Sequence, residues 1–97
     1  MIAGVALSRP PILTVAKLSP LLMEQLTAAY VVHDRLHETD PAAFAKVAPQ
    51  IRAIAGSGES KVPRSLMDQL PALELVSIMG VGYDGVDVPA ALERRIP

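Results

Sequence analysis

Two glycine-rich segments and one pair of histidines are the places where this sequence could do chemistry. Gly80-Val81-Gly82-Tyr83-Asp84-Gly85 has the G-x-G-x-x-G spacing. Directly after a strand and opening a helix, that spacing lets backbone amides and a helix N-terminus hold a dinucleotide pyrophosphate. The residues that follow argue against this use. Asp87 is the natural N-cap of the next helix and Pro89 sits in its first turn, so the helix starts about five residues beyond Gly82. The fingerprint needs it at about the second glycine, where the helix N-terminus meets the phosphates. The acidic residue for the ribose, expected about 20 residues further on, falls past Pro97. The same glycines suit a smaller anion. Gly80 and Gly82 flank Val81 at the carboxyl end of a strand, and they let successive N–H groups point into one concavity fit for a carboxylate. A plain tight turn is the alternative on the residues alone.

The second segment, Gly56-Ser57-Gly58-Glu59-Ser60-Lys61, looks superficially like a phosphate loop. That motif needs glycine directly before the lysine and Ser or Thr directly after it, and Ser60 and Val62 stand there instead. The segment follows a strand and belongs to the same sheet edge as Gly82, so Ser57 could face the same crevice; a flexible strand-to-helix loop is the alternative. His33 and His37 are four apart, with Asp34, Glu38 and Asp40 nearby, and on a helix both imidazoles would share a face. His33 ends a strand, however, and His37 falls in the loop after it. We therefore expect no metal site there, and no Ser, His and Asp arrangement either.

These residues have to be positioned by elements that the punctuation of the chain reveals. Ser19-Pro20, Asp40-Pro41, Val62-Pro63 and Asp87 with Pro89 each open a stretch of helical spacing, with the proline where a first turn has no N–H to lose. Between them lie short apolar runs, Ile12 to Val15, Tyr30 to His33, Ala53 to Ala55 and Leu73 to Met79. The runs are continuous more than alternating, as parallel strands covered on both faces should be. Leu21, Leu22, Gln25, Leu26 and Ala29, then Ala43, Phe44, Val47 and Ala48, then Leu66, Met67 and Leu70 each give a helix one apolar face to lay on a sheet. The reading is an α/β chain, βαβαβαβα, with an open parallel sheet. Charged residues such as Asp68, Glu93, Arg94 and Arg95 form solvated faces. The chain looks cut after Pro97, where the next event should be another strand.

Composition narrows the function classes. Ninety-seven residues make one domain at most. With 51% hydrophobic residues there is ample material for a core. A formal charge of -1 and scattered Lys and Arg offer no basic stripe for a phosphate backbone, and 3% aromatics offer no stacking platforms, so nucleic-acid binding is not expected. The absence of cysteine leaves no disulfide framework or thiolate site and suits a reducing compartment. Met1 to Ser8 is apolar without a positive n-region, and nothing approaches the roughly 18 apolar residues of a membrane span, so the expected address is cytoplasmic.

Taken together, Ala53-Ile54-Ala55-Gly56, Leu70-Pro71-Ala72-Leu73-Glu74-Leu75-Val76-Ser77, Gly80-Val81-Gly82-Tyr83-Asp84-Gly85-Val86-Asp87-Val88 and Ala90-Ala91 resemble successive motifs of the D-2-hydroxyacid dehydrogenases. The glyoxylate and hydroxypyruvate reductase branch is the most similar. The match runs from about Pro10 to the end, with Gly80 to Val88 its most characteristic part.

The resemblance implies a flavodoxin-like substrate domain, present here as a partial (βα)4 unit. Residues 1–9 would be an N-terminal extension and 10–97 the N-terminal part of that domain, with the nucleotide-binding domain absent. It implies that the backbone N–H groups of Val81 and Gly82, with Gly80 beside them, bind the carboxylate of a small 2-oxo or 2-hydroxy acid. Ser57 would border the same cleft, and Asp84 would be a structural loop residue. It implies NAD or NADP for an intact protein, which would be a homodimer. The arginine that polarises the substrate carbonyl, the glutamate-histidine pair that handles the proton and the true glycine fingerprint all come from later sequence in the family. This chain should therefore hold no catalytic residue, bind no cofactor and be inactive alone. Lacking the family's returning helix, it should leave an apolar sheet face uncovered and either self-associate or be marginally stable. A stand-alone flavodoxin-like module that binds a small carboxylate or a protein, without catalysis, is the alternative.

Overall fold

The computed structural model describes residues 9–58, 60–79 and 85–96. Strands β1 (Pro11–Thr14), β2 (Val31–Asp34), β3 (Ala53–Ser57) and β4 (Leu75–Met79) alternate with helices. The helices are α1 (Pro20–Ala29), α2 (Leu36–Thr39), α3 (Pro41–Val47), α4 (Arg64–Met67) and α5 (Val88–Glu93), with a 3-10 turn over Ala48–Gln50 finishing α3. All strand pairs are parallel and the order is β2-β1-β3-β4. The chain thus builds outward from β1 to one side and then crosses to the other, placing a topological switch between β1 and β3. The expected open parallel α/β sheet is what forms. Among the described residues no helix is long and apolar enough to cross a membrane.

The caps read from sequence set three of the helix starts. Ser19 Oγ accepts from Leu22 N at 3.2 Å, Asp40 Oδ1 from Ala43 N at 3.1 Å and Asp87 Oδ1 from Ala90 N at 3.0 Å. Each satisfies a first-turn donor that has no partner within its helix. The fourth start differs: Pro63 is itself the N-cap of α4, with no side-chain cap, and the helix is a single turn. Leu66, Met67 and Leu70 are all buried as their spacing requires, but Leu70 is reached through turns after α4 has ended. Met67 O and Leu70 O each accept a backbone N–H within these turns, and Arg94 adds a second donor to both, its guanidinium bonding Met67 O and, at 2.7 Å, Leu70 O.

The two faces of the sheet are unequal. Leu13, Ile54 and Val76 are neighbours in register, and they face a core closed by Phe44, Ile51, Leu66, Met67, Leu70 and Ala90. The opposite face carries Ile12, Ala53, Ala55, Leu75 and Ser77, and among the described residues α1 is the helix that meets it. The expectation of one full apolar helix face fails for α1, which has no buried residue; Leu22, Met23 and Leu26 are half-buried and Leu21 is 65% exposed. The reason is placement: α1 lies toward β2 and leaves β3 and β4 under a groove of about 350 Å³. Coverage of every strand on both faces fails as well, since β2 stands at the end of the strand order and both its ends are exposed. His37 lies in α2, and not in a loop as its position after a strand suggested. His33 and His37 still do not share a helix, because Arg35 stands between them in the left-handed conformation at φ 51°.

Ile54 is fully buried on a strand that has neighbours on both sides. Replacing it with alanine removes three buried carbons and leaves a cavity, so Ile54→Ala is expected to cost about 2–5 kcal/mol, read as a lowered urea midpoint.

Candidate functional site

The carboxyl ends of β1, β3 and β4 form the edge where open parallel sheets bind ligands. Ser57 sits at the end of β3, in register with Met79 at the end of β4. Gly80, Val81 and Gly82, with Tyr83 and Asp84, lie outside the described residues. The chain is described on either side of them. It leaves β4 level with Ser57 and resumes at Gly85, whose carbonyl accepts from Val62 N at 2.8 Å. Val62 O then accepts from Asp87 N at 2.9 Å, making a short parallel bridge between Val62 and Val86. The chain before residue 80 and after residue 84 is thereby tied to β3 and to the segment that follows it. Helix α5 begins at Val88, six residues beyond Gly82, and runs for six residues. A dinucleotide fingerprint needs its helix start beside the glycines, whereas α5 starts six residues after the second of them.

Ser57 is committed to its own loop. Its N–H donates to Ser60 Oγ at 2.7 Å, and its carbonyl accepts from Ser60 N at 3.0 Å. The amide is thus spent internally, and the hydroxyl, 3.5 Å from Ser60 Oγ, is the group left to meet a ligand. Sequence reading missed Ser60, which is buried at 5% exposure. Its spacing held the signal, because a serine three residues after a strand end is placed to bond the backbone it follows. Gly56 is the complement: a Cβ there would come within 2.5 Å of Ser60 Oγ and 2.8 Å of Val15 Cγ2.

One strand over, a polar cluster closes the β1 and β2 ends. The Thr14 hydroxyl, fully buried, donates to Asp34 Oδ1 at 2.7 Å and accepts from Arg35 N at 3.0 Å. Arg35 Nε pairs with Asp34 Oδ1 at 3.1 Å. These bonds, that from Arg35 first and that from Thr14 second, hold the Asp34 carboxyl below its ordinary pKa of 3.8. The cluster fixes the loop into α2. Among the described residues no three potential metal ligands converge. The His37 ring leans on Phe44 with centroids 5.9 Å apart.

Because the folded-state pKa of Asp34 is depressed, its contribution is complete above the unfolded value and is lost as pH falls through the folded value. Its side chain is 43% exposed, so solvent screening limits the effect to roughly 1 kcal/mol or less. Asp34→Asn is expected to be less stable than the parent at pH 6, and the gap should close as pH drops below 3.8. Urea denaturation at several pH values reads this directly.

Comparison with known proteins gives this geometry a context. Residues 12–97 match the model of the D-isomer specific 2-hydroxyacid dehydrogenase catalytic domain. The chain is 38% identical over 89 residues to a 2-ketogluconate reductase of Gluconobacter oxydans, covering 92% of this chain and 28% of the relative. It is 32% identical over 90 residues to glyoxylate/hydroxypyruvate reductase B of Salmonella newport, covering 91% and 28%. Among solved structures, a 2-hydroxyacid dehydrogenase from Ketogulonicigenium vulgare superposes with a TM-score of 0.83 at 44% identity, covering 93% of this chain and 29% of that one. An NADPH-dependent glyoxylate/hydroxypyruvate reductase from Sinorhizobium meliloti, in complex with NADP and malonate, superposes with a TM-score of 0.76 at 40% identity, covering 92% and 27%. The chain spans a little over a quarter of the length of these relatives. With residues 12–97 matched to that catalytic domain and an open parallel sheet in common with these structures, this chain belongs to the D-isomer specific 2-hydroxyacid dehydrogenase family.

Proposed function

We propose that this chain forms the substrate side of an NAD(P)-dependent oxidoreductase that interconverts a small 2-oxo acid and its D-2-hydroxy acid, of the glyoxylate and hydroxypyruvate kind. Residues 10–97 are the first part of its substrate-binding domain and 1–9 an extension. The N–H groups of Val81 and Gly82 hold the substrate carboxylate, Gly80 lets the backbone turn toward it, and the Ser57 hydroxyl stands at the rim. The observation that carries the reading is the register of β3 with β4, which brings the start of that turn level with Ser57 at a ligand-binding sheet edge.

In this reading the nicotinamide cofactor supplies the hydride and is held by residues other than these, since α5 starts too far from the glycines to receive a pyrophosphate. The chain's own task is orientation: amide hydrogens on the carboxylate fix one end of the acid, so that its 2-carbon faces the cofactor. No general acid or base for the reaction belongs to this chain. The intact protein is a cytoplasmic homodimer in this reading. The groove over β3 and β4, lined by Ile12, Ala53, Ala55 and Leu75, is apolar surface that further polypeptide would cover.

Two measurements test this. The purified 97-residue chain should give no NADH- or NADPH-dependent turnover of glyoxylate or hydroxypyruvate. Titrating the isotope-labelled chain with malonate should shift the amide resonances of Val81 and Gly82 before any others. Turnover by the isolated chain, or malonate shifts confined to another region, overturns the assignment.

A further inference from the structure

We propose that Ser60 is a positioning residue: its side chain ties the loop after β3 to the far end of the glycine turn, so that both sides of the crevice move as one unit. The ligand in this proposal rests on the reading above, while the mechanical coupling stands without it.

The coupling follows from three sets of contacts. Ser57 and Ser60 exchange two hydrogen bonds, Ser57 N to Ser60 Oγ at 2.7 Å and Ser60 N to Ser57 O at 3.0 Å. They close a small ring that locks residue 60 against the end of β3. Gly56 provides the space, since any side chain there would displace the Ser60 hydroxyl. The backbone of Ser60, so fixed, lies against Gly85: a Cβ on Gly85 would be 1.9 Å from the Ser60 carbonyl oxygen. Two residues on, Val62 accepts from Asp87 and donates to Gly85, and the Asp87 side chain caps α5. The path therefore runs from one buried hydroxyl, through the backbone of residues 60–62, to the residues that receive the chain as it leaves the glycine turn. Removing the hydroxyl leaves the Ser57 N–H without its acceptor and reduces the ring to a single bond. Gly85 then rests on a loop that is free to shift.

Threonine and valine at this position differ by a hydroxyl for a methyl, so the pair separates the bond from the volume. Amide hydrogen exchange of the 97-residue chain is the first readout. Ser60→Val should speed exchange at Ser57, Val62 and Asp87 together, by about tenfold or more, and leave Ile54 unchanged. Ser60→Thr should keep all three near the parent rate. Acceleration at Ser57 alone, or at none of the three, overturns the coupling. Gly56→Ala, which pushes the hydroxyl aside from the other direction, should accelerate the same three amides, and it decides the matter should Ser60→Val fail to fold.

Malonate titration is the second readout: Ser60→Val should weaken binding by about tenfold and Ser60→Thr should restore it. If the parent chain does not bind malonate, the carboxylate assignment falls, while exchange still decides the coupling. If the parent binds and Ser60→Val binds equally well, the positioning role is overturned.

Discussion

Two parallel strands ending level with one another are what the carboxyl edge of this chain depends on. β3 and β4 pair over five residues, from Ala53 with Leu75 to Ser57 with Met79, and the register is held by the burial of Ile54 beside Val76. A slip of one residue would turn Ile54 to the groove side and move the entry to the glycine turn away from Ser57. The same core is closed by the short helix α4 and by α5, and the two are joined where Arg94 takes the carbonyls of Met67 and Leu70. Packing and site geometry are thus set by the same residues. The apolar side of β3 holds the sheet in register, and its end carries the loop that the crevice uses.

At that loop the chain uses serine and glycine for different tasks. Gly56 makes room, Ser60 fills it, and Ser57 gives up its amide to the arrangement. An amide spent on local structure is unavailable to a ligand, so at Ser57 the hydroxyl is the group that stays available.

Much of this was legible in the residues. Three of the four proline-marked helix starts were found where expected, because Ser19, Asp40 and Asp87 are good N-caps whose side chains have one dominant use. The four strands appeared within a residue or two of their runs: Leu73 and Glu74 stand outside β4, and Gly56 and Ser57 were gained by β3. What failed to show was whatever depends on two distant segments meeting. The one-turn length of α4, the weak burial of α1 and the role of Ser60 against Gly85 all come from tertiary placement, and no local periodicity encodes it. The one-turn helix at His37 was hidden because it begins after Arg35 in a left-handed conformation, which a sequence pattern does not announce.

The unequal faces of the sheet also grade the cost of local opening. α1 contributes no buried residue and rests mainly beside β2, an edge strand whose ends are exposed. Lifting this helix and strand away exposes little apolar surface, whereas parting β3 from β4 exposes the centre of the core. Proteases and solvent therefore find their first entry at the α1 and β2 side, and the strand ends that frame the crevice are the last to come apart.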